Sequence, residues 1–178
     1  ILSHSMASLE SLAWQEKFPD EVKALIGLDW ALPSSYEDLK ENQMLTRDEI
    51  LVALQDAITE DQEFELADEI MDAMVLYDQP FDLVAPILDF ISKHPEVDFG
   101  SPGYLVHFVE RFYHKGYEDL LMEAVGKRPT PHNIWMLHRC CNDNDPNLVP
   151  QIQALVGELK KDKTLDLQIR TMIEDLTW

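Results

Sequence analysis

Asp82-Leu83-Val84-Ala85-Pro86-Ile87-Leu88-Asp89-Phe90-Ile91 spaces its apolar side chains three and four residues apart. Leu83, Val84, Ile87, Phe90 and Ile91 therefore share one face of a helix, an arrangement that a period-two strand does not produce. Pro86 falls inside this pattern. It predicts either a kink or the true start of the helix, because proline lacks the N–H that an interior turn requires. The pattern returns 65 residues later in 147–156, where Leu148, Val149, Ile152, Leu155 and Val156 occupy the same places. Between the two, Asp119-Leu120-Leu121 begins a similar run. This recurrence predicts an all-α fold of antiparallel helix pairs stacked as a HEAT-like array, with about 30–40 residues per pair. The alternative is an irregular helical bundle whose amphipathic helices merely look alike.

The same periodicity extends outward from this core. Residues 8–18 read as a helix, and Pro19 opens a second that buries Val22, Leu25 and Ile26. Residues 27–35 connect, and Ser35 caps a short helix carrying Tyr36 and Leu39. Thr46-Arg47-Asp48-Glu49 is a capping box, and the helix after it presents Ile50, Leu51, Leu54, Ala57 and Ile58. Residues 61–77 read as a longer helix with Phe64, Ala67, Ile70, Met71 and Met74 inward. Further starts are expected at Ser101-Pro102, Tyr117, Thr130-Pro131, Asp145-Pro146 and Thr164, with Gly116 as a stop. Six glycines and the lack of clean alternation argue against a β-sandwich. With 46% hydrophobic residues, the 178-residue chain can form a core. It is read as a single helical domain over 6–178, the five residues before Met6 being read as an expression remnant.

Charge is the second signal. The chain holds 14 Lys and Arg against 34 Asp and Glu, a net charge of −20. Such a surface repels nucleic-acid backbones and anionic membranes and favours a basic partner. The acids are unevenly placed. Between Arg47 and Lys93 there are 13 acids and no Lys or Arg. On a helix from Asp61, the residues Asp61, Glu65, Asp68 and Asp72 would line one face, with Glu69 beside them. Like charges at that spacing cost about 0.2–0.5 kcal/mol per pair, so a helix selected for stability alone would interleave lysine. Asp82 and Asp89, seven apart, would share a face of the next helix. These seven carboxylates are the expected docking surface for a basic protein, whose association they would accelerate. A merely solvated acidic face is the competing reading.

Other chemistry finds less support. The spacing of His107 and Glu110 puts them on one helical face, with His114 a turn later, but no His-Glu-x-x-His zinc motif occurs. Cys140 and Cys141 are adjacent, which suits neither a disulfide framework nor a Cys-x-x-Cys site, and together with His138 they read as structural. Arg139 is expected to pair with a carboxylate of the preceding helix. The acids lack the EF-hand pattern, and no phosphate loop or nucleophile elbow appears. The chain is therefore expected to be no enzyme and to need no metal or cofactor. Two cysteines, no signal sequence and no 20-residue apolar run point to the cytoplasm.

Leu105-Val106-His107-Phe108-Val109-Glu110-Arg111-Phe112, then Tyr117, Leu120-Leu121, Trp135, Leu137, Arg139 and Asn142, resemble in order and spacing a family of helical immunity proteins. The family is catalogued as immunity protein thirty and belongs to bacterial polymorphic toxin and contact-dependent growth-inhibition systems. The likeness covers roughly residues 65–145. It implies a cytoplasmic inhibitor that binds the C-terminal domain of a cognate toxin and covers its active site. A nuclease toxin needs a basic channel for phosphates, and a band of carboxylates would mimic the nucleic-acid backbone there. The competing function is a helical-repeat adaptor or scaffold that holds a peptide or helix in an apolar groove.

Overall fold

The computed structural model describes residues 45–178, and the helices expected between residues 8 and 39 lie outside them. The described part is all-α. Eight α-helices follow one another: α1 (Arg47–Asp56), α2 (Asp68–Leu76), α3 (Val84–Lys93), α4 (Tyr104–Glu110), α5 (Tyr117–Lys127), α6 (Pro131–Arg139), α7 (Leu148–Leu159) and α8 (Leu167–Asp175). A 3-10 turn, Pro80–Leu83, leads into α3. Only two isolated β-bridges occur among the described residues.

The helix starts follow from local chemistry. Thr46 accepts the Glu49 N–H and the Glu49 carboxylate takes the Thr46 N–H at 2.8 Å, the reciprocal box that satisfies two orphan donors. Thr130 and Asn133 form the same box at α6, with Pro131 at the first helical position. Pro86 is the third residue of α3, inside the first turn, where its missing N–H costs nothing. It marks the helix start and not a kink. Asp145 and Asp166 act just ahead of α7 and α8, accepting the N–H groups of Asn147 and Gln168 at 2.7 Å each. These two helices begin two or three residues later than the Asp145-Pro146 and Thr164 signals suggest.

Gly116 adopts a left-handed φ of +106°, and a Cβ there would come within 3.3 Å of the Phe81 ring. Glycine at this point both ends the turn after α4 and lets α5 begin against Phe81.

The core runs through the centre of the described residues. Leu83, Val84, Ile87 and Ile91 are fully buried, as are Leu105, Val106, Tyr117, Leu121, Ile134 and Leu137. Each such aliphatic side chain contributes about 1.5–3 kcal/mol relative to exposure. Helix α3 is the hub, packing on the 3-10 turn, α4, α5 and α6. Beyond it α5 packs on α6 and α7, and α6 on α8. At the other end α1 packs on α2. Asn133 ties α6 to α3 from inside the core, its amide nitrogen reaching the Ser92 hydroxyl at 3.1 Å and the Arg128 carbonyl at 2.9 Å.

Candidate functional site

The expected helix over 61–77 forms only from Asp68 onward. Residues 57–67 instead make a short crossover. The Thr59 N–H donates to the Glu63 carbonyl at 2.9 Å and the Glu65 N–H to the Ala57 carbonyl at 2.9 Å, while Gln62 turns the chain with φ +63°. The Asp98 N–H then donates to the Gln62 carbonyl at 2.9 Å. The physical reason lies in Phe64, whose ring packs against Phe90 at 6.0 Å and Phe99 at 5.3 Å. Phe64 and Leu66 are partly buried while Glu63 and Glu65 are exposed, an alternation of period two that outweighs the helical spacing of the acids. Ala67, read as inward, is exposed and serves as the N-cap of α2.

All seven carboxylates of the expected docking surface are exposed. They do not form one helical stripe. Asp61 and Glu65 stand on the crossover, Asp68 and Glu69 in the first turn of α2, and Asp72 one turn later. Asp68 and Glu69 sit at the positive end of the helix dipole, which offsets their mutual repulsion where Ala67 offers no capping side chain. Asp82 belongs to the 3-10 turn and Asp89 to α3, so no continuous α-helix carries both. Asp89 is also met by Lys93 at 2.6 Å. Among the described residues, no Lys or Arg forms an ion pair with Asp61, Glu65, Asp68, Glu69, Asp72 or Asp82.

The crossover and the segment after α3 enclose a cleft of about 440 Å3. Its rim carries Glu63, Glu65 and Asp98, and Phe64, Phe99 and Tyr104 supply apolar walls. Tyr104 is anchored by donating to the Met71 carbonyl at 2.8 Å, which ties α4 to α2 behind the cleft. Gly103 permits the tight loop there, since a Cβ would lie 1.7 Å from the Phe99 carbonyl oxygen. An aromatic wall under a carboxylate rim suits a long basic side chain, whose stem packs while its charged head meets the acids. Glu63 and Asp98 were not singled out from the sequence. The Phe64/Leu66 alternation is the signal that places Glu63, whereas Asp98 arrives only through the bridge to Glu63.

A second cluster gathers residues read as structural. Glu110 does not serve His107, which is exposed. Its carboxylate takes the Arg139 Nε and Nη2 donors at 2.7 and 2.9 Å, and the guanidinium lies 4.9 Å from the Trp135 ring. The partner of Arg139 thus comes from α4 and not from the preceding helix α5. His114 adopts a left-handed φ of +58°, held by its own N–H donating to the buried Glu118 carboxylate at 2.6 Å. His138 lies 3.0 Å from the Thr177 carbonyl oxygen. Cys140 and Cys141 are free thiols, and burial pushes the Cys140 thiol up to about 12. No group of three or more His, Cys, Asp or Glu among the described residues is arranged to hold a metal. No helix among them is long and apolar enough to cross a membrane.

No protein-family model and no solved structure matches the chain. A 40-residue stretch, 22% of this chain, is 38% identical to part of a Bacillus subtilis (strain 168) protein named "Uncharacterized protein YbdG". The chain spans 12% of that protein's length, so the likeness shows a short shared segment and no shared activity.

Proposed function

We propose that this chain is a binding protein that docks a basic partner against the face formed by the 57–67 crossover and α2, and that the partner is a toxin domain which it neutralises. The observation that carries the reading is the exposed set Asp61, Glu65, Asp68, Glu69 and Asp72, without Lys or Arg pairing among the described residues, with Glu65 on the rim of the aromatic cleft. Exposed carboxylates left without cations keep their full field for an incoming partner, and complementary fields speed docking by roughly 10 to 1,000-fold. A nuclease channel has the matching charge. Inhibition by coverage asks no chemistry of this chain, and the resemblance to immunity proteins points to the cytoplasm as the place of encounter.

The fold is read further as a HEAT-like array. Its support is the alternation of packing, in which α3 meets α5 and α5 meets α7 while α6 meets α8. The matched runs at 82–91 and 147–156 then belong to the first and third members of one stacked row, with α5 between them. A stacked array presents a broad rigid surface, which suits coverage of another protein.

The test is co-expression with a basic toxin domain, sought first in the gene beside this one. Cells carrying both are expected to grow, and cells carrying the toxin with Glu65→Lys/Asp68→Lys/Asp72→Lys are expected to die. Full protection by that triple variant, folded by circular dichroism, would remove the acidic face from the mechanism.

A further inference from the structure

A row of stacked rings runs from the 57–67 crossover into the helices. Phe64 meets Phe99 at 5.3 Å, Phe99 meets the His132 ring at 5.5 Å, and His132 meets Trp135 at 5.5 Å. Phe99 is buried, so the imidazole forms part of the wall that holds it. His132 plays no part in the reading above.

The surroundings of His132 suit the neutral ring alone. Its Nε2 is buried and has no hydrogen-bond partner among the described residues. A neutral imidazole can present that nitrogen as a bare acceptor, whereas the imidazolium carries an N–H on both nitrogens. A buried N–H and a buried charge without an acceptor are costly. His132 is also the second residue of α6, where the positive end of the helix dipole opposes a further positive charge. Burial accordingly holds its pKa below the ordinary value, with Asp98 pulling the other way.

The elements against the ring carry other charges. The segment after α3 brings His94, Glu96 and Asp98, and α6 with the turn before it brings Arg128, His138 and Arg139. His94 is 3.5 Å from Glu96, and Arg139 stacks on Trp135 while Glu110 holds it. Asp98 is the charge that reaches the His132 ring. It is exposed, its carboxylate accepts the Gly100 N–H at 2.8 Å, and its own N–H donates to the Gln62 carbonyl at 2.9 Å. A ring that takes a proton therefore has a route outward, toward Asp98 and in competition with the turn that shapes this segment.

We propose that protonation of His132 acts as a conformational switch, in which the imidazolium leaves the slot between Phe99 and Trp135 for Asp98 and frees residues 94–103 from the 57–67 crossover. The switch belongs to the chain alone and goes beyond the docking reading. Mild acid thereby reshapes the segment that bears Asp61 and Glu65.

The experiment follows amide hydrogen exchange in the isotopically labelled full chain between about pH 5 and about pH 7.5, the range in which an ordinary histidine titrates. Each rate is divided by the intrinsic rate at that pH, and the His132 Cε1 shift is recorded alongside. The Asp98 amide is expected to lose protection by at least about tenfold as the His132 ring takes its proton, with the same midpoint. Ile152 and Val156 in α7 are expected to keep their protection. His132→Phe fills the slot with a ring that cannot titrate, and is expected to hold the Asp98 protection constant with pH. His94→Gln is expected to leave the response unchanged. Constant protection in the unaltered chain, a midpoint apart from that of His132, an equal loss in α7, or the native response in a folded His132→Phe would overturn the proposal. Should His132→Phe fail to fold, the agreement of the two midpoints in the unaltered chain decides.

Discussion

Arg139 is fixed from two sides, by the Glu110 fork and by the Trp135 ring. Arg139→Lys keeps the charge but loses the second hydrogen bond and the flat stacking surface. The variant is expected to be less stable by about 1–2 kcal/mol, read as a lower urea midpoint with an unchanged slope. His132 gives a pH prediction. Its ring lies between Phe99 and Trp135 at 5.5 Å from each, and burial holds its pKa below the ordinary value. The folded state therefore resists a proton that the unfolded chain accepts. Stability from this residue is complete above the unfolded value of about 6.5 and is lost as pH falls from there toward the lower folded value. His132→Phe is expected to flatten the stability profile just below that pH, measured by thermal melts across a buffer series. At this scale the sequence is a partial guide. The spacing of His107 and Glu110 suggests a pair, but the true partner of Glu110 lies 29 residues away on another helix, beyond the reach of local spacing.

Elements were legible where a cap or a breaker marks them, to within two or three residues at Ser101-Pro102, Asp145-Pro146 and Thr164. Thr46 with Glu49, Thr130 with Pro131, and Gly116 each stand where the backbone needs them. The two capping boxes differ in consequence. Thr46 is exposed, so Thr46→Ala is expected to cost about 1 kcal/mol. Asn133 is fully buried and also holds the Thr130 N–H at 2.8 Å. Asn133→Ala strands that donor and the Arg128 carbonyl, and is expected to cost about 2–3 kcal/mol; chemical denaturation of the two variants side by side checks the order. The crossover at 57–67 was not legible as such. Its acids fall at helical spacing, while only two apolar residues, Phe64 and Leu66, carry the opposing alternation. The packing of Phe64 on Phe90 and Phe99 decides between them, and that contact joins segments far apart in the chain.

Across the whole molecule, a net charge of −20 acts on both stability and association. Self-repulsion among so many acids opposes the compact state, so the melting temperature is expected to rise as sodium chloride is raised from low concentration and the repulsion is screened. Association with a basic partner should respond in the opposite direction, because the same screening weakens steering. The composition and the lysine-free stretch 48–92 made the abundance of unpaired acids legible, and the structure shows the seven chosen carboxylates exposed. The sequence could not show that its members stand on four different segments, or that Lys93 already meets Asp89. The most direct test is the association rate constant with a basic toxin domain of the kind proposed as partner, measured by stopped flow from low to physiological salt. The account predicts a steep fall with salt for the native chain, and for Glu65→Lys/Asp68→Lys/Asp72→Lys a rate at least about tenfold lower with a shallower salt dependence. Equal rates and equal salt dependence for the two would contradict it.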